Sequence, residues 1–276
     1  MAARVMGGDP ESDVWPWHAR GLDPGLSRMA VAAGAIVGTA FAYPSTVRHH
    51  ERSLAGALIT GVAVDEHVRA RGLAADLVCA TTEACRRDGA DLTYGWFGIE
   101  ALARRAGYSR VARYVGGRAP APMEHGDAAV LCRPYLVGEW SRLDPAGTAP
   151  TDRWYAVPTR DSEGAQFFDH RLSRPSDLTA MSCAGVPGPV ALLSAPSAVG
   201  DAPLIRVVRG GSPRARAELV RRISRQLGAL AVEHLHADVI AHGVPLEVTR
   251  TAHLYARFHT ARTRDVRCRP ADVDYG

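Results

Sequence analysis

The hydrophobic period of the chain switches between Ala57 and Leu77, and that switch restricts the fold more than any other feature. Ala57–Val64 is an uncharged run of small and β-branched residues, which reads as a buried strand. Beyond Asp65, the residues Leu73, Leu77, Ala80 and Ala84 recur at helical spacing, while Asp76, Glu83, Arg86 and Arg87 take the other face. A strand feeding an amphipathic helix is the front of an α/β unit, because the helix buries its apolar stripe by folding back onto the sheet. Upstream, Arg28–Ala33 and Ile36–Tyr43 read as strands around a Gly34 turn, joined to Ala57–Val64 through the polar His49, His50 and Glu51. Downstream, Gly89 ends the helix. Ala90–Trp96 reads as a strand, Ile99–Ala106 as a short helix stopped by Gly107, and Tyr108–Val115 as another strand. The expected class is α/β with a mixed sheet (α+β in character).

The chain has 276 residues, 46% hydrophobic and 22% charged, enough for one large core or two ordinary domains, which excludes disorder, collagen and coiled coil. Its five cysteines are odd in number and form no C-x-x-C pair, so neither a disulfide framework nor a cysteine zinc site is indicated. All 33 basic residues are arginine, and a net charge of +4 suits a phosphorylated ligand without requiring nucleic acid. The longest uncharged stretch, Met29–Val47, is broken by Gly34, Gly38 and Pro44, and no basic-then-apolar leader precedes it. A cytoplasmic protein without a membrane span is expected. His234-x-His236 lacks a third ligand at suitable spacing, so no metal is expected, and no Gly-x-Ser-x-Gly nucleophile motif occurs.

Two stretches rich in Gly, Pro and Ala, Gly116–Asp127 and Asp144–Pro150, read as linkers. The expected division is a domain over 1–122, a linker and edge strand over 123–150, and a domain over 151–276. In the second half, Val190–Ser194 and Leu204–Val208 read as strands. A helix from Ser212-Pro213 carries Leu219, Ile223, Leu227 and Leu230, Ala237–Ala241 reads as a strand, and Ala252–Phe258 as a last helix. The pattern of the first half partly recurs, and Ala-Asp stands after each long helix, at Ala90-Asp91 and Ala237-Asp238, which suggests a degenerate tandem repeat.

Chemistry concentrates in Gly61–Ala74, an apolar strand, a polar turn and then Arg69-x-x-Gly72-x-Ala74 opening the helix. A helix N-terminus leaves several N–H groups unpaired and aimed one way, with the helix dipole behind them. Gly72 and Ala74 leave room for a pyrophosphate, and Arg69 and Arg71 add charge beside it. An ordinary strand-to-helix turn with solvated arginines is the alternative. This loop, followed by Leu102-Ala-Arg-Arg-Ala-Gly107-Tyr108 and preceded by the Met29–Tyr43 hairpin, resembles the GCN5-related N-acetyltransferase (GNAT) superfamily over residues 28–116. The loop matches the family's Q/R-x-x-G-x-G/A acyl-CoA pattern, and the later segment looks like its Leu-Tyr-x-x-x-Gly-Phe.

The resemblance implies tandem GNAT-like domains, with a donor-binding first domain and a degenerate second one that completes the acceptor site. It implies acetyl-CoA or another acyl-CoA as donor, pantetheine amides pairing with the backbone of Val62 and Val64, and pyrophosphate on Arg69, Arg71, Gly72, Leu73 and Ala74. An amine of a small-molecule acceptor would attack the thioester directly. Departures are equally informative. The family's tyrosine acid would stand at Ala103, and the glutamate base of some members near Leu58, so both slots are apolar. Tyr94, or His49, His50 and Glu51, are candidate substitutes. Leu254-Tyr255-Ala-Arg-Phe258 looks like a second copy of the Leu-Tyr-x-x-x-Gly-Phe helix and makes Tyr255 the other candidate acid. Two further functions stay open: transfer of an aminoacyl group from tRNA, with Arg214, Arg221 and Arg225 on one helix face for phosphates, and a non-catalytic acyl-CoA sensor. Oligomeric state is not legible.

Overall fold

The computed structural model describes residues 23–49, 52–69, 71–121, 130–134, 154–158, 178–183, 188–194, 201–209, 211–263 and 270–272. In chain order the elements are β1 (Arg28–Ala32), β2 (Ala35–His49), β3 (Arg52–Val64), α1 (Leu73–Arg87), β4 (Leu92–Trp96), α2 (Glu100–Arg105), β5 (Ser109–Ala119) and β6 (Val130–Pro134). They continue as β7 (Trp154–Pro158), β8 (Leu178–Cys183), β9 (Val190–Ser194), β10 (Leu204–Arg209), α3 (Pro213–Leu227), β11 (Leu230–His236), α4 (Ala237–Ile240), β12 (Glu247–Phe258) and β13 (Pro270–Asp272). Contacts group them into two units, one of residues 1–111, 154–167 and 253–276, the other of 112–153 and 168–252. Among the described residues no helix is long and apolar enough to cross a membrane.

In the first unit, β2 pairs antiparallel with β1, β3 and β7, while β3 and β4 run parallel, as their connection through a helix requires. The C-terminal part of β12 closes the other side of β4, antiparallel, with Leu254 opposite Trp96 and Phe258 opposite Leu92. β2 is longer than its expected Ile36–Tyr43, because Val47 and Leu54 extend the hairpin into the core. Pro44 is tolerated just outside the Ser45–His49 pairing with β7. α1 buries Ala75, Leu77, Val78, Thr81, Thr82, Ala84 and Cys85, the stripe that the spacing anticipates. Ala42, Ile59, Val78, Phe97, Ala103, Tyr108 and Tyr255 belong to one core cluster.

In the second unit, β9 and β10 are antiparallel, α3 follows, and β11 returns parallel to β10, which repeats the β2–β3–α1–β4 connectivity. β5 pairs with β11, and β8 with β6 and β9. Leu219, Ile223, Leu230, Val232 and Leu235 fill its core.

Several expected elements are corrected. Gly228, at φ 86°, ends α3 before Leu230, whose place in the helical spacing is coincidental, and Leu230 opens β11 instead. Ala237–Ala241 is therefore no strand: it lies on α4 and its C-cap, with His236 Nδ1 accepting from the Asp238 N–H. Ala252–Phe258 is no helix; it lies within β12, where the free edge of β4 supplies the ladder partners. The likeness of Leu254–Phe258 to a family helix therefore falls, and so does the shared Ala-Asp strand start. Gly116 and Gly117 are not linker residues but buried members of β5, with the Glu247 backbone packed where a Gly117 side chain would stand. The Asp144–Pro150 stretch, His50, Glu51 and Cys268 lie outside the described residues, as do the side chains of His49 and His234.

Candidate active site

β3 is the spine of the site. It pairs with β4 only as far as Ile59 opposite Gly95, then runs on to Val64 after β4 has ended at Trp96. On its other side β3 stays bound to β2 through a bulge between Thr39 and Phe41. Gly61 occupies the bulge at φ 57°; Thr39 Oγ1 donates to its carbonyl at 2.9 Å, and any Cβ there would run into the Phe41 ring. Bulges sharpen strand twist, and here the twist accompanies the separation of β3 from β4. Backbone groups of Thr60–Val64 on the β4 side thus face open space instead of a ladder.

That edge leads directly into the loop before α1. Asp65 caps a 3-10 turn over Glu66–Val68, and Arg69 Nε donates to the Val64 carbonyl at 3.0 Å, which pins the start of the loop to the strand end. Gly72 is the N-cap of α1, left-handed at φ 84°, and takes the Ala75 and Asp76 N–H groups on its carbonyl. The N–H groups of Leu73 and Ala74 have no acceptor in the chain among the described residues, as the first turn of a helix dictates. The Arg105 guanidinium lies over this turn. A Cβ on Gly72 would stand 2.9 Å from its Nη2, and Nη2 is 3.8 Å from Asp76 Oδ1.

These parts enclose a cleft of about 560 Å³. Val62, Ala63, Val64, Val68, Leu73, Ile99, Ala101 and Leu102 make its apolar walls, with Arg69, Gly72, Ala74 and Arg105 at the polar end. Six of the seven expected donor-site residues therefore meet in one cleft: Val62, Val64, Arg69, Gly72, Leu73 and Ala74. Arg71 is exposed on the loop and is not among the walls. Leu102 and Arg105 lie in the Leu102–Tyr108 motif and Ile99 just before it, but the motif does not mark any of them for the donor cleft. The one available signal is that Arg105 closes the short helix whose apolar residues follow the β4 strand.

Leu58 and Ala103, the apolar occupants of the expected base and acid slots, are both buried. Tyr94 is buried and donates to Ser45 Oγ at 3.0 Å. Tyr108 is held between Thr82 and Thr93 at 2.7 and 2.8 Å, and burial raises its pKa. Tyr255 pairs with Gly95, packs edge-on against Phe97 and is 1% exposed, and its hydroxyl has no hydrogen-bond partner among the described residues. Burial pushes its pKa up, with a smaller contribution from Glu100. Tyr94 and Tyr255 are thus both in the core around the end of β4, in different hydrogen-bonding states.

An open strand edge leading to a helix-N-terminal cradle is the shape that the sequence resemblance implies, and residues 1–111 match the acetyltransferase (GNAT) domain family. Residues 1–111 are a GNAT acetyltransferase domain. Solved structures agree on the fold across more of the chain. A GCN5-related N-acetyltransferase from Anabaena variabilis is similar at 13% identity and a TM-score of 0.69, covering 94% of this chain and 69% of that one. Eis1 from Mycobacterium abscessus is similar at 16% identity and 0.64, covering 94% and 69%. A tandem GNAT protein from the clavulanic acid biosynthesis pathway is similar at 11% identity and 0.51, covering 94% and 93%. No curated protein matches the chain. The matched domain carries a mixed sheet, and among the described residues no group of side chains forms a metal site.

Proposed function

We propose that the protein moves an acyl group from acetyl-CoA or a related acyl-CoA to the amine of a small molecule. The carrying observation is that the unpaired edge of β3 and the unpaired N–H groups before α1 open into one cleft. An extended pantetheine arm would add to β3 as a short strand beside Val62 and Val64. Its pyrophosphate would take the Leu73 and Ala74 N–H groups, with Arg69, Arg71 and Arg105 as counter-charges. Acyl transfer then needs little covalent help. Fixing amine and thioester together supplies much of the rate, and a backbone N–H can polarise the carbonyl.

The second unit reads as a GNAT-like repeat without a donor site. Ser212 Oγ accepts the Ala215 N–H at 3.2 Å, a side chain on Gly211 would meet Pro189, and an Arg206–Glu233 ion pair of 2.7 Å spans β10 and β11. Of the three arginines expected to meet tRNA phosphates on α3, Arg221 is engaged with Glu218 and the His242 carbonyl, and the adjacent Arg222 is engaged with Glu218, so the acyl-CoA reading is preferred. Calorimetric titration with acetyl-CoA tests the donor. Binding should survive replacement of Arg214, Arg221 and Arg225 by glutamine together, whereas a wild-type protein that ignores acetyl-CoA refutes the reading.

A further inference from the structure

Burial changes in steps along the sheet face of the first unit that lies away from α1. Ala42 and Ile59 share a core cluster with Val78 of α1, so strand alternation turns Phe41, Tyr43, Leu58 and Thr60 to the opposite face. On that face Tyr43, Leu58 and Tyr94 form one row across β2, β3 and β4, and all three are buried. The next positions along the strands are Phe41 opposite Thr60, and Trp96 two residues beyond Tyr94; each of these is partly exposed. Farther on, Ala30 packs with Leu77 of α1, which leaves Met29 and Val31 on the outer face with Ile36 opposite Val31, exposed at 60%, 63% and 45%. The cover over this face therefore ends at Phe41, Thr60 and Trp96. That is the level at which β3 leaves β4, just past the Ile59–Gly95 pair.

The proposed donor's thioester would lie at the same level, so the uncovered face is an open approach to it for a second substrate. What it offers is apolar and aromatic. The Phe41 ring lies against Gly61, where any Cβ would collide with it, so the glycine of the bulge is what lets the ring sit beside the separating strands. No residue between Met29 and Val47, or between Ser53 and Val64, is charged. A polycationic amine would bring its charges to strands that cannot match them.

We infer that Phe41, Thr60 and Trp96 form an acceptor subsite for an amine carried on an uncharged aromatic body, an inference that rests on the acyl-CoA reading above. Neighbouring strands lie about 4.8 Å apart, so a ring held over Thr60 stands about 5 Å from Phe41 and somewhat farther from Trp96, where β4 turns away; aromatic pairs attract at centroid separations of about 4.5–7 Å. The Thr60 hydroxyl supplies an acceptor for the amine N–H. A short alkyl link between ring and nitrogen then brings the amine to the gap between β3 and β4.

Thiol release from acetyl-CoA, with 2-phenylethylamine, n-butylamine and spermidine as acceptors, tests this, while calorimetric titration with acetyl-CoA follows the donor separately. The wild-type protein should favour 2-phenylethylamine over each of the other two by about 10-fold in kcat/KM. Phe41→Leu keeps an apolar side chain but loses the ring, and should cut that preference about threefold to tenfold with the affinity for acetyl-CoA unchanged. Met29→Glu places a carboxylate at an exposed position of the same face, and should move the preference toward spermidine about threefold, an effect that high salt removes. A wild-type protein that binds acetyl-CoA but acetylates 2-phenylethylamine no better than the other two amines overturns the acceptor class. A Phe41→Leu variant with wild-type donor affinity and the wild-type preference overturns the subsite; if that variant does not fold, a Met29→Glu protein with the wild-type preference overturns it instead. A wild-type protein that binds no acetyl-CoA overturns the donor reading first, and this inference with it.

Discussion

Gly72→Glu tests the cradle most sharply, because backbone, charge and space all bear on that one position. Gly72 is left-handed at φ 84°, so any side chain costs about 1–2 kcal/mol of stability through strain. The new carboxylate would also meet Arg105, whose guanidinium nitrogens stand 2.9 and 3.0 Å from the added Cβ. Glutamate must either pair with that arginine or displace it. Pairing cancels the Arg105 charge, and displacement removes it while leaving a bare carboxylate in the cradle. Two unit charges about 4 Å apart interact by about 4 kcal/mol at an effective dielectric near 20. Halving that for the open, screened mouth of the cleft leaves about 2 kcal/mol, roughly a 30-fold loss in CoA affinity before steric exclusion is counted. Gly72→Ala carries the same strain without the charge, so the two variants should lose similar stability while only the glutamate loses affinity by that factor. Calorimetric titration with CoA on the folded variants decides it. A Gly72→Glu protein binding CoA within about threefold of wild type would refute the placement of the pyrophosphate.

Gly61→Ala should destabilise the protein by about 1–3 kcal/mol in denaturant unfolding, since φ is 57° and the methyl enters the Phe41 ring; a variant as stable as wild type would remove the strain attributed to the bulge. His259, beside Thr93, is held near pKa 4 by burial first, then by Arg257 and Arg86. Because the folded form resists the proton, its contribution is full above about pH 6.5 and is lost as pH falls toward about 4. The loss should be about 1–2 kcal/mol after allowing for its partial exposure, and His259→Gln should flatten that part of a stability–pH curve. Equal acid slopes in the two proteins would contradict it.

Local chemistry alone makes the proposed donor site legible. The strand, the left-handed Gly72 and the first turn of α1 lie within 20 residues, and each follows from hydrophobic period, from the freedom of a residue without Cβ, or from unpaired helix-start N–H groups. Arg105 is not legible in this way, because a surface arginine on a short helix declares its partner only once α2 has folded onto the loop. The Leu254–Phe258 segment misleads for a related reason. Its apolar residues at 254, 255, 256 and 258 fit a helical stripe as well as a strand, and β-strand preference depends on the neighbours a strand finds.

By itself, then, the sequence determined a mixed α/β unit and the glycine-bearing helix-start turn that is proposed to bind an anion, since both arise from residues that are neighbours along the chain. Tertiary structure decided that β12 is a strand, that Tyr255 stands opposite Gly95 about 160 residues away, and that this tyrosine shares the core with Ala103. Strand ladders draw their hydrogen bonds from distant segments, and the free edge of β4 selects its partner only when both are present.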